Sequence, residues 1–453
     1  MAKIRDFEQV LKRMGQIGRY AVPLCLTNVL AMAVLFFVTM MLAKLGKTEL
    51  AALAIANTCN ITLSAFLNSC LYSTSILIGQ HHAKKDKMEV ASLMWNSIWL
   101  AIFLGFIGMV LLWFMDKFLL FIGEPQLLVD NTVTYFHFAA LSMIPLLLSA
   151  AIAQIYNGLG KPIVGTTILG VRLPVTIYFC YELILGHYHL GLAGASLGLL
   201  ISQLISLVIV AIYIRFSFIW TYFQLKVQRW NIKKVQQIFN MGIHIGLQFL
   251  GELMAISGAT FLLGYLGSNA LASSQIVAQY GVPLVMIILG VAQALSIRIG
   301  EACGREEYDS ISSYTQAAFC LISGILFICA IIYALMPYEI MSFFINIKDA
   351  NNHALIQLTL WFIVIMFPTL FFDGIKNVLT GTLRGLNNVK APMIIGTLSL
   401  WLVGLPVCYL VGIYYECGPI GLRIGFSFGY ITAALSLWIY YTRLCAKGLP
   451  IKH

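Results

Sequence analysis

Residues 191–215 read GLAGASLGLLISQLISLVIVAIYIR, and no charged residue occurs before Arg215. A helix needs about 20 mainly apolar residues to cross a lipid bilayer, so this run is long enough. The whole chain has the same character: of its 453 residues, 60% are hydrophobic and 10% are charged, and the mean hydropathy is +0.88. Soluble globular proteins carry roughly 25% charged residues. The composition therefore excludes a soluble globular protein, a disordered chain and a nucleic-acid-binding domain, although the isoelectric point is about 9.0.

Similar apolar runs recur along the chain and are separated by short polar segments. We predict an all-α membrane protein with twelve transmembrane helices, six on each side of a polar stretch at 216–240. The expected spans are 20–44, 52–79, 90–115, 132–157, 163–186, 191–215, 242–266, 271–299, 313–337, 355–383, 392–413 and 420–443.

The basic residues predict the orientation of these spans, because Lys and Arg accumulate in the cytoplasmic loops of membrane proteins. With the amino terminus inside, the inner segments hold 21 Lys and Arg residues and the outer segments hold 5. Arg172 and Lys376 remain within spans. We therefore expect a multi-pass protein of the cytoplasmic (inner) membrane with both termini in the cytoplasm.

The two halves of the chain repeat each other at an offset of about 221 residues that drifts slowly upward. Residues in each half have partners in the other in the same order: Leu45-Gly46 with Leu266-Gly267, Ile78-Gly79-Gln80 with Ile299-Gly300-Glu301, Pro145 with Pro368, and Gly191, Gly194 and Gly198 with Gly418, Gly421 and Gly425. We predict two pseudo-symmetric six-helix lobes around a central cavity, residues 1–215 and 241–453. The basic connector at 216–240 is expected to be a surface-lying amphipathic helix.

Two carboxylates, Glu252 and Asp373, fall deep within apolar spans. An ionisable group in hydrocarbon is costly unless it faces water or a partner, so such residues are functional by default. We interpret both as cation-coupling groups that bind H⁺ or Na⁺. For Glu252 the alternative is a structural hydrogen bond. Lys376 lies one turn after Asp373 on the same helical face, so that pair is either a structural ion pair or a carboxylate whose partner changes when a cation binds.

Other intramembrane side chains have two interpretations each. Arg172 is either a fixed positive charge in the cavity of the first lobe or an arginine whose donors are satisfied by helix carbonyls. Tyr280 and Met286, like Met254, Phe261 and Phe371, are either lining residues of a substrate cavity or ordinary packing residues. Gln248 is a further candidate for the cavity or its hydrogen-bond network.

Catalytic and metal-binding patterns are not found in the sequence. The ten cysteines show no CxxC pair or metal-ligand spacing, and we expect free thiols. There is no phosphate-binding P-loop and no nucleophile with a matching base. The sequence therefore predicts a protein that is not an enzyme and has no cofactor.

Several stretches together resemble one family, multidrug and toxin extrusion (MATE) transporters of the NorM-like type. They are Pro23, Leu45-Gly46 with LAALA at 50–54, IGQHHAKKD at 78–86, GLGKP at 158–162, LASSQI at 271–276, RIG at 298–300 and GTLRG at 381–385. The resemblance covers essentially the whole chain. It implies a V-shaped antiporter with two lobes, which exports cationic, amphipathic drugs against an inward flow of H⁺ or Na⁺.

The resemblance also assigns residues. Glu252 and Asp373 match the seventh-helix glutamate and tenth-helix aspartate of the second-lobe cation site, and Gln275 matches an eighth-helix glutamine. The first lobe departs from the family pattern, because its usual aspartate aligns with Val38 and its two usual asparagines align with Arg172 and Thr176. We expect no cation site there, and our hypothesis is that Arg172 acts as a permanent surrogate cation.

These observations favour a cation-coupled multidrug antiporter that works by alternating access. The expected partners are cationic small-molecule drugs and membrane lipids, without nucleic acid, and the expected state is a monomer. The alternative is a flippase for a lipid-linked saccharide precursor, which predicts a strongly cationic cavity. A channel predicts transport that is uncoupled from any ion gradient. A glutamate and an aspartate serve either ion, so the sequence leaves H⁺ and Na⁺ open.

Overall fold

The computed structural model describes residues 2–44, 47–123, 126–224, 230–342 and 352–447, and these residues form helices and short turns without a strand. The predicted inner basic residues Lys226, Arg229 and Lys452, the predicted outer residue Lys348 and the Leu45-Gly46 pair lie outside the described residues. The α-helices are α1 (Ala2–Ala43), α2 (Lys47–Cys70), α3 (Tyr72–Ala83), α4 (Lys87–Trp113), α5 (Met115–Ile122), α6 (Gln126–Gly158), α7 (Ile163–Ile184), α8 (Gly191–Phe216), α9 (Trp220–Gln224), α10 (Ile232–Tyr265), α11 (Ser268–Gly304), α12 (Ser310–Leu335), α13 (Pro337–Ser342), α14 (His353–Gly385), α15 (Lys390–Ser399), α16 (Leu405–Tyr409) and α17 (Gly418–Ala446).

The prediction of twelve helical spans is confirmed. In the described part of the chain, twelve helices are long and apolar enough to cross a membrane. The helices α10 and α11 are longer than the apolar runs that predicted them, because each continues as a helix through polar turns beyond the run.

The eleventh span, Lys390–Tyr414, is not a regular α-helix along its whole length. The residues at 400–404 and 410–414 form wider π-helical turns on either side of α16, which carries Pro406 near its start. Proline has no backbone N–H and its ring interferes with the preceding turn, so the hydrogen-bond ladder adjusts around it. Pro145, Pro174, Pro283 and Pro368, in contrast, lie inside continuous α-helices.

The connector differs from the prediction of one surface helix over 216–240. The described residues contain the five-residue helix α9, and α10 already begins at Ile232; residues 225–229 lie outside the description. Contacts at residues 231–234 explain why α10 begins at Ile232. The side chain of Asn231 accepts a hydrogen bond from the backbone N–H of Lys233 at 3.1 Å, which is the arrangement of a helix N-cap. An ion pair between Lys234 and Glu89 of α4 ties down the first turn.

The chain forms two compact units, whose limits differ from the predicted lobes 1–215 and 241–453. The N-unit is Leu26–Gly246, and the C-unit is Met1–Cys25 together with Leu247–His453. The helices α1 and α10 therefore each contribute residues to both units. We use these two names below for the units as defined here.

Close helix contacts recur at corresponding places in the two units, as the internal repeat predicts. In the N-unit, a Cβ atom placed on Gly158 would lie 2.8 Å from Cβ of Ile78. In the C-unit, a Cβ atom on Gly385 would lie 2.7 Å from Cβ of Ile299. Because Ile78 and Ile299 are partners in the sequence repeat, the same helix crossing is built twice from the same residue types.

A second repeated contact involves a glycine and a cysteine. A Cβ atom on Gly198 of α8 would lie 3.0 Å from the backbone nitrogen of Cys180, and one on Gly425 of α17 would lie 2.8 Å from that of Cys408. Both cysteines are buried free thiols, as predicted. The glycine ladders of the two halves are therefore required because the backbones of neighbouring helices approach closely there.

We predict that Gly385→Ala and Gly425→Ala each lower the thermal unfolding temperature of the purified protein in detergent. The added methyl group would overlap neighbouring atoms closer than 3.0 Å, and overpacking of this kind costs about 1–3 kcal/mol. Gly324→Ala in α12 is the matched control, because no atom lies within 4 Å of its added Cβ. Equal unfolding temperatures for Gly385→Ala and Gly324→Ala would contradict this account of the glycines.

Candidate functional site

A fully buried lysine lies between two carboxylates inside the C-unit. The Nζ atom of Lys376 is 2.9 Å from Oε2 of Glu252 and 2.9 Å from Oδ1 of Asp373. The side chain of Lys376 is 0% exposed, that of Asp373 8% and that of Glu252 16%. We call Glu252, Asp373 and Lys376 the trio. The structure thus brings together the three charged residues that the sequence singled out in the second half of the chain.

The helix α14 sets the geometry of two members of the trio. Asp373 and Lys376 are three residues apart, and this spacing places side chains on one face of a helix. Asn377, on the next position, donates hydrogen bonds from Nδ2 to Oδ1 and to the backbone oxygen of Asp373, both at 2.9 Å. The Asp373 carboxylate therefore accepts from an ammonium and an amide at the same oxygen, which holds it in one orientation.

The helix α10 supplies the third member and its support. Gln248 lies one turn before Glu252 and donates from Nε2 to Oε1 of Glu252 at 2.9 Å. The amide oxygen of Gln248, Oε1, accepts a hydrogen bond from Nη2 of Arg384 at 2.9 Å. A continuous hydrogen-bonded chain therefore runs from Arg384 through Gln248 to Glu252 and on to the lysine.

Tyr430 of α17 covers the lysine on another side. The Nζ atom of Lys376 lies 5.2 Å from the centroid of the Tyr430 ring, within the range of a cation–π interaction. Tyr430 is buried, with 8% of its surface exposed. The ammonium thus has an aromatic face and two carboxylates around it, which is how a charge without water is stabilised.

The three ionisable groups of the trio do not balance in charge. With all three groups ionised, the two carboxylates and one ammonium leave the trio with a formal charge of −1. Breaking a buried ion pair by removing one partner costs about 3–5 kcal/mol, because an unpaired charge is left without solvent. The gain or loss of one positive charge at the trio would therefore change its net charge and the ion pairs among its three side chains.

Some residues of this network were not identified from the sequence. Asn377 follows Asp373 by one helical turn, and that spacing could have identified it. Arg384 was counted among the inner basic anchors, so its hydrogen bond to Gln248 was not foreseen. Tyr430 has no sequence signal, because only the packing of α17 on α14 brings it to the site.

Three other predicted residues lie on α11. Gln275 is exposed on α11. Tyr280 packs edge-on against Tyr333, with ring centroids 5.9 Å apart. Met286 is half-buried on the same helix. These three residues remain predictions for substrate contacts.

The N-unit has a different interior. Val38, at the position of the usual family aspartate, is buried with 3% exposure. Thr176 is buried, and its Oγ1 donates to the backbone oxygen of Arg172 at 2.9 Å. The Nε atom of Arg172 is buried and has no hydrogen-bond partner, and no described carboxylate lies within ion-pair distance of its guanidinium.

Twelve helical spans, a packing repeat between the two halves and a buried charged trio define a class: an integral, multi-pass membrane transporter. The family model MatE matches residues 23–182 and 231–410. The chain belongs to the MatE family, as the sequence resemblance predicted.

Relatives and solved structures agree with this assignment. The chain is 26% identical over 411 residues to a "Probable multidrug resistance protein NorM" of Rhizobium meliloti, covering 89% of this chain and 88% of that protein. It is 26% identical over 436 residues to a protein of the same description from Deinococcus radiodurans, covering 94% and 95%. A solved structure described as the outward-facing conformation of a multidrug resistance MATE family transporter has the same fold, with a TM-score of 0.87, 17% identity and 98% of each chain covered.

We predict that Lys376→Met destabilises the purified protein strongly, since it leaves two adjacent buried carboxylates without their shared cation, at a cost of about 3–5 kcal/mol. Adding Asp373→Asn to Lys376→Met should restore part of the lost stability, because one of the two like charges is removed. Thermal unfolding of both variants and of Asp373→Asn alone in detergent measures the coupling between the two positions. Strictly additive effects would show that the ion pair contributes nothing.

Proposed function

We propose that this transporter is a cation-coupled antiporter that exports cationic, amphipathic compounds by alternating access, with Glu252 and Asp373 as its coupling carboxylates. The observation that carries the proposal is the trio, which places one net negative charge within the membrane-spanning helices. Ionisable residues buried at such places in membrane proteins mark ion and substrate pathways. The relatives described as probable multidrug resistance proteins support the substrate class.

The proposed cycle follows from competition for that negative charge. In the outward-facing state, H⁺ or Na⁺ binds to the carboxylates and lowers the affinity for a cationic drug, which leaves. The protein then changes to the inward-facing state, the coupling ion escapes to the cytoplasm, and the recharged carboxylates favour the next drug. Drug and ion thus affect each other's affinity by the same factor, as thermodynamic linkage requires.

The charge of the trio argues against the flippase alternative. A lipid-linked saccharide carries an anionic pyrophosphate, which needs several unpaired cationic groups. In the C-unit, the lysine of the trio is outnumbered by its two carboxylates. In the N-unit, Arg172 adds one buried guanidinium, and in the C-unit Arg384 and Arg423 donate to the neutral side chains of Gln248 and Ser274. Export of cationic compounds fits this charge distribution better.

The N-unit is proposed to contribute a fixed charge rather than a second cation site. Val38 cannot ionise, and Arg172 remains protonated at all physiological pH values. A permanent guanidinium at this position would act as a bound cation that never leaves. Coupling would then rest on the C-unit alone. The cytoplasmic location of both termini, the inner membrane and a monomeric state complete the proposal.

We predict that Glu252→Gln abolishes drug resistance and lowers the initial rate of ethidium efflux by roughly tenfold or more, the size of a typical coupling free energy. The amide keeps the shape of the side chain and removes the charge for which drug and ion compete. Efflux is measured in cells with matched expression. Glu182→Gln is the control, because Glu182 pairs with the exposed His187 outside the trio; unchanged efflux in Glu252→Gln would refute the assignment.

We predict that Arg172→Asn slows coupled efflux, whereas Arg172→Lys retains most of it, because lysine preserves the positive charge. Both variants are reconstituted at equal density in proteoliposomes, and ethidium transport is followed under an imposed ion gradient. The surrogate-cation hypothesis fails if Arg172→Asn shows full coupled transport.

A further inference from the structure

The ammonium group of Lys376 occupies the position between the two coupling carboxylates that a bound metal cation would need. We propose that the coupling ion of this transporter is therefore H⁺, and that Na⁺ is excluded by Lys376 together with the hydrogen-bond donors around it. This inference rests on the proposed function and names its coupling ion.

The polar side chains that contact the two carboxylates of the trio are hydrogen-bond donors. Gln248 reaches Glu252 with its amide N–H, Asn377 reaches Asp373 with its amide N–H, and Lys376 reaches both carboxylates with N–H groups at 2.9 Å. In each of these contacts, an N–H group donates to a carboxylate oxygen. Donors stabilise an anion and cannot bind a metal ion.

The Gln248 amide is held with its NH₂ group toward Glu252 and its oxygen toward Arg384. Its oxygen accepts from Nη2 of Arg384 at 2.9 Å, and arginine has donors only. A rotation of the amide by half a turn would place its NH₂ group against the guanidinium and its oxygen against the Glu252 carboxylate. Both contacts would be unfavourable, so the Gln248 oxygen is not available as a ligand.

A sodium ion at the trio would need several oxygen ligands. Hard cations of this kind are held in proteins by several oxygen atoms, from carboxylates, carbonyls, amides or water. At the trio, Oε1 and Oε2 of Glu252 and Oδ1 of Asp373 already accept hydrogen bonds from Gln248, Lys376 and Asn377. The two carboxylates share the lysine. Tyr430 of α17 also faces this lysine, with its ring centroid 5.2 Å from Nζ, and Arg384 lies behind Gln248.

A proton has none of these requirements, because it needs one lone pair of one carboxylate oxygen. Glu252 is the more exposed of the two acids, at 16% against 8%, and is the natural acceptor. When H⁺ adds to Glu252, an O–H bond forms, the ion pair to Lys376 is lost, and the lysine keeps Asp373 as its carboxylate partner. The formal charge of the trio changes from −1 to 0, so one proton is taken up per cycle.

The direct test uses the wild-type chain in proteoliposomes with ethidium as the transported probe. One arm imposes a pH gradient in sodium-free buffer. The other arm imposes a sodium gradient with the pH held equal on both sides by strong buffering and a protonophore. We expect transport in the first arm, and in the second a rate equal to that without any gradient.

The outcomes separate this inference from the proposed function. Transport driven by the sodium gradient at equal pH would overturn the proton assignment and leave antiport intact. No response to either gradient would overturn antiport itself, and with it the assignment of an ion. A response to both would overturn the exclusion of sodium.

A variant adds a gain-of-function test. Lys376→Gln replaces the ammonium by a neutral group that carries an amide oxygen, and we expect it to acquire a sodium response that the wild type lacks. Lys376→Arg keeps a donor-only cation and should remain insensitive to sodium. Thermal unfolding confirms that each variant is folded, and a folded Lys376→Gln protein without a sodium response would contradict the role given to Lys376.

Discussion

One buried ammonium group determines the polar interior of the C-unit. Lys376 is fully buried and is held by two carboxylates at 2.9 Å each, so neither acid can change its charge without altering the other's partner. Removing ions from water costs several kcal/mol per ion, and mutual pairing recovers this only with good geometry and further hydrogen bonds. Gln248, Asn377 and Tyr430 supply those further contacts. These contacts stabilise the trio inside the helix bundle, where it carries one net negative charge.

The two halves of the chain share their packing and differ in their chemistry. Corresponding glycines, Gly158 and Gly385, allow the same close helix crossing in each unit. The polar interiors differ, because the N-unit has a buried Val38 and an Arg172 whose Nε has no hydrogen-bond partner, whereas the C-unit has the trio. The two units therefore share a scaffold, and the buried charged trio lies in the C-unit.

The sequence predicted the twelve spans because the cost of placing polar residues in lipid leaves long apolar runs. Glu252, Asp373 and Lys376 were identifiable for the same reason, since a charge stands out in such a run. Arg384 and Tyr430 were not, because hydrogen bonding and packing between distant helices bring them to the trio. The connector prediction was wrong because Asn231 caps α10 and starts that helix early. Gln275 is exposed on α11, and its role in substrate contacts stays a prediction.

In the proposed mechanism, drug and proton compete for the negative charge of the trio. The dissociation constant of ethidium for the purified protein, measured by fluorescence over a range of pH in sodium-free buffer, tests this competition. We expect the ethidium affinity to fall about tenfold for each unit of decreasing pH over the range in which one proton is taken up. We also expect this dependence to disappear in Glu252→Gln. An ethidium affinity in the wild type that does not change with pH would contradict the proposed mechanism.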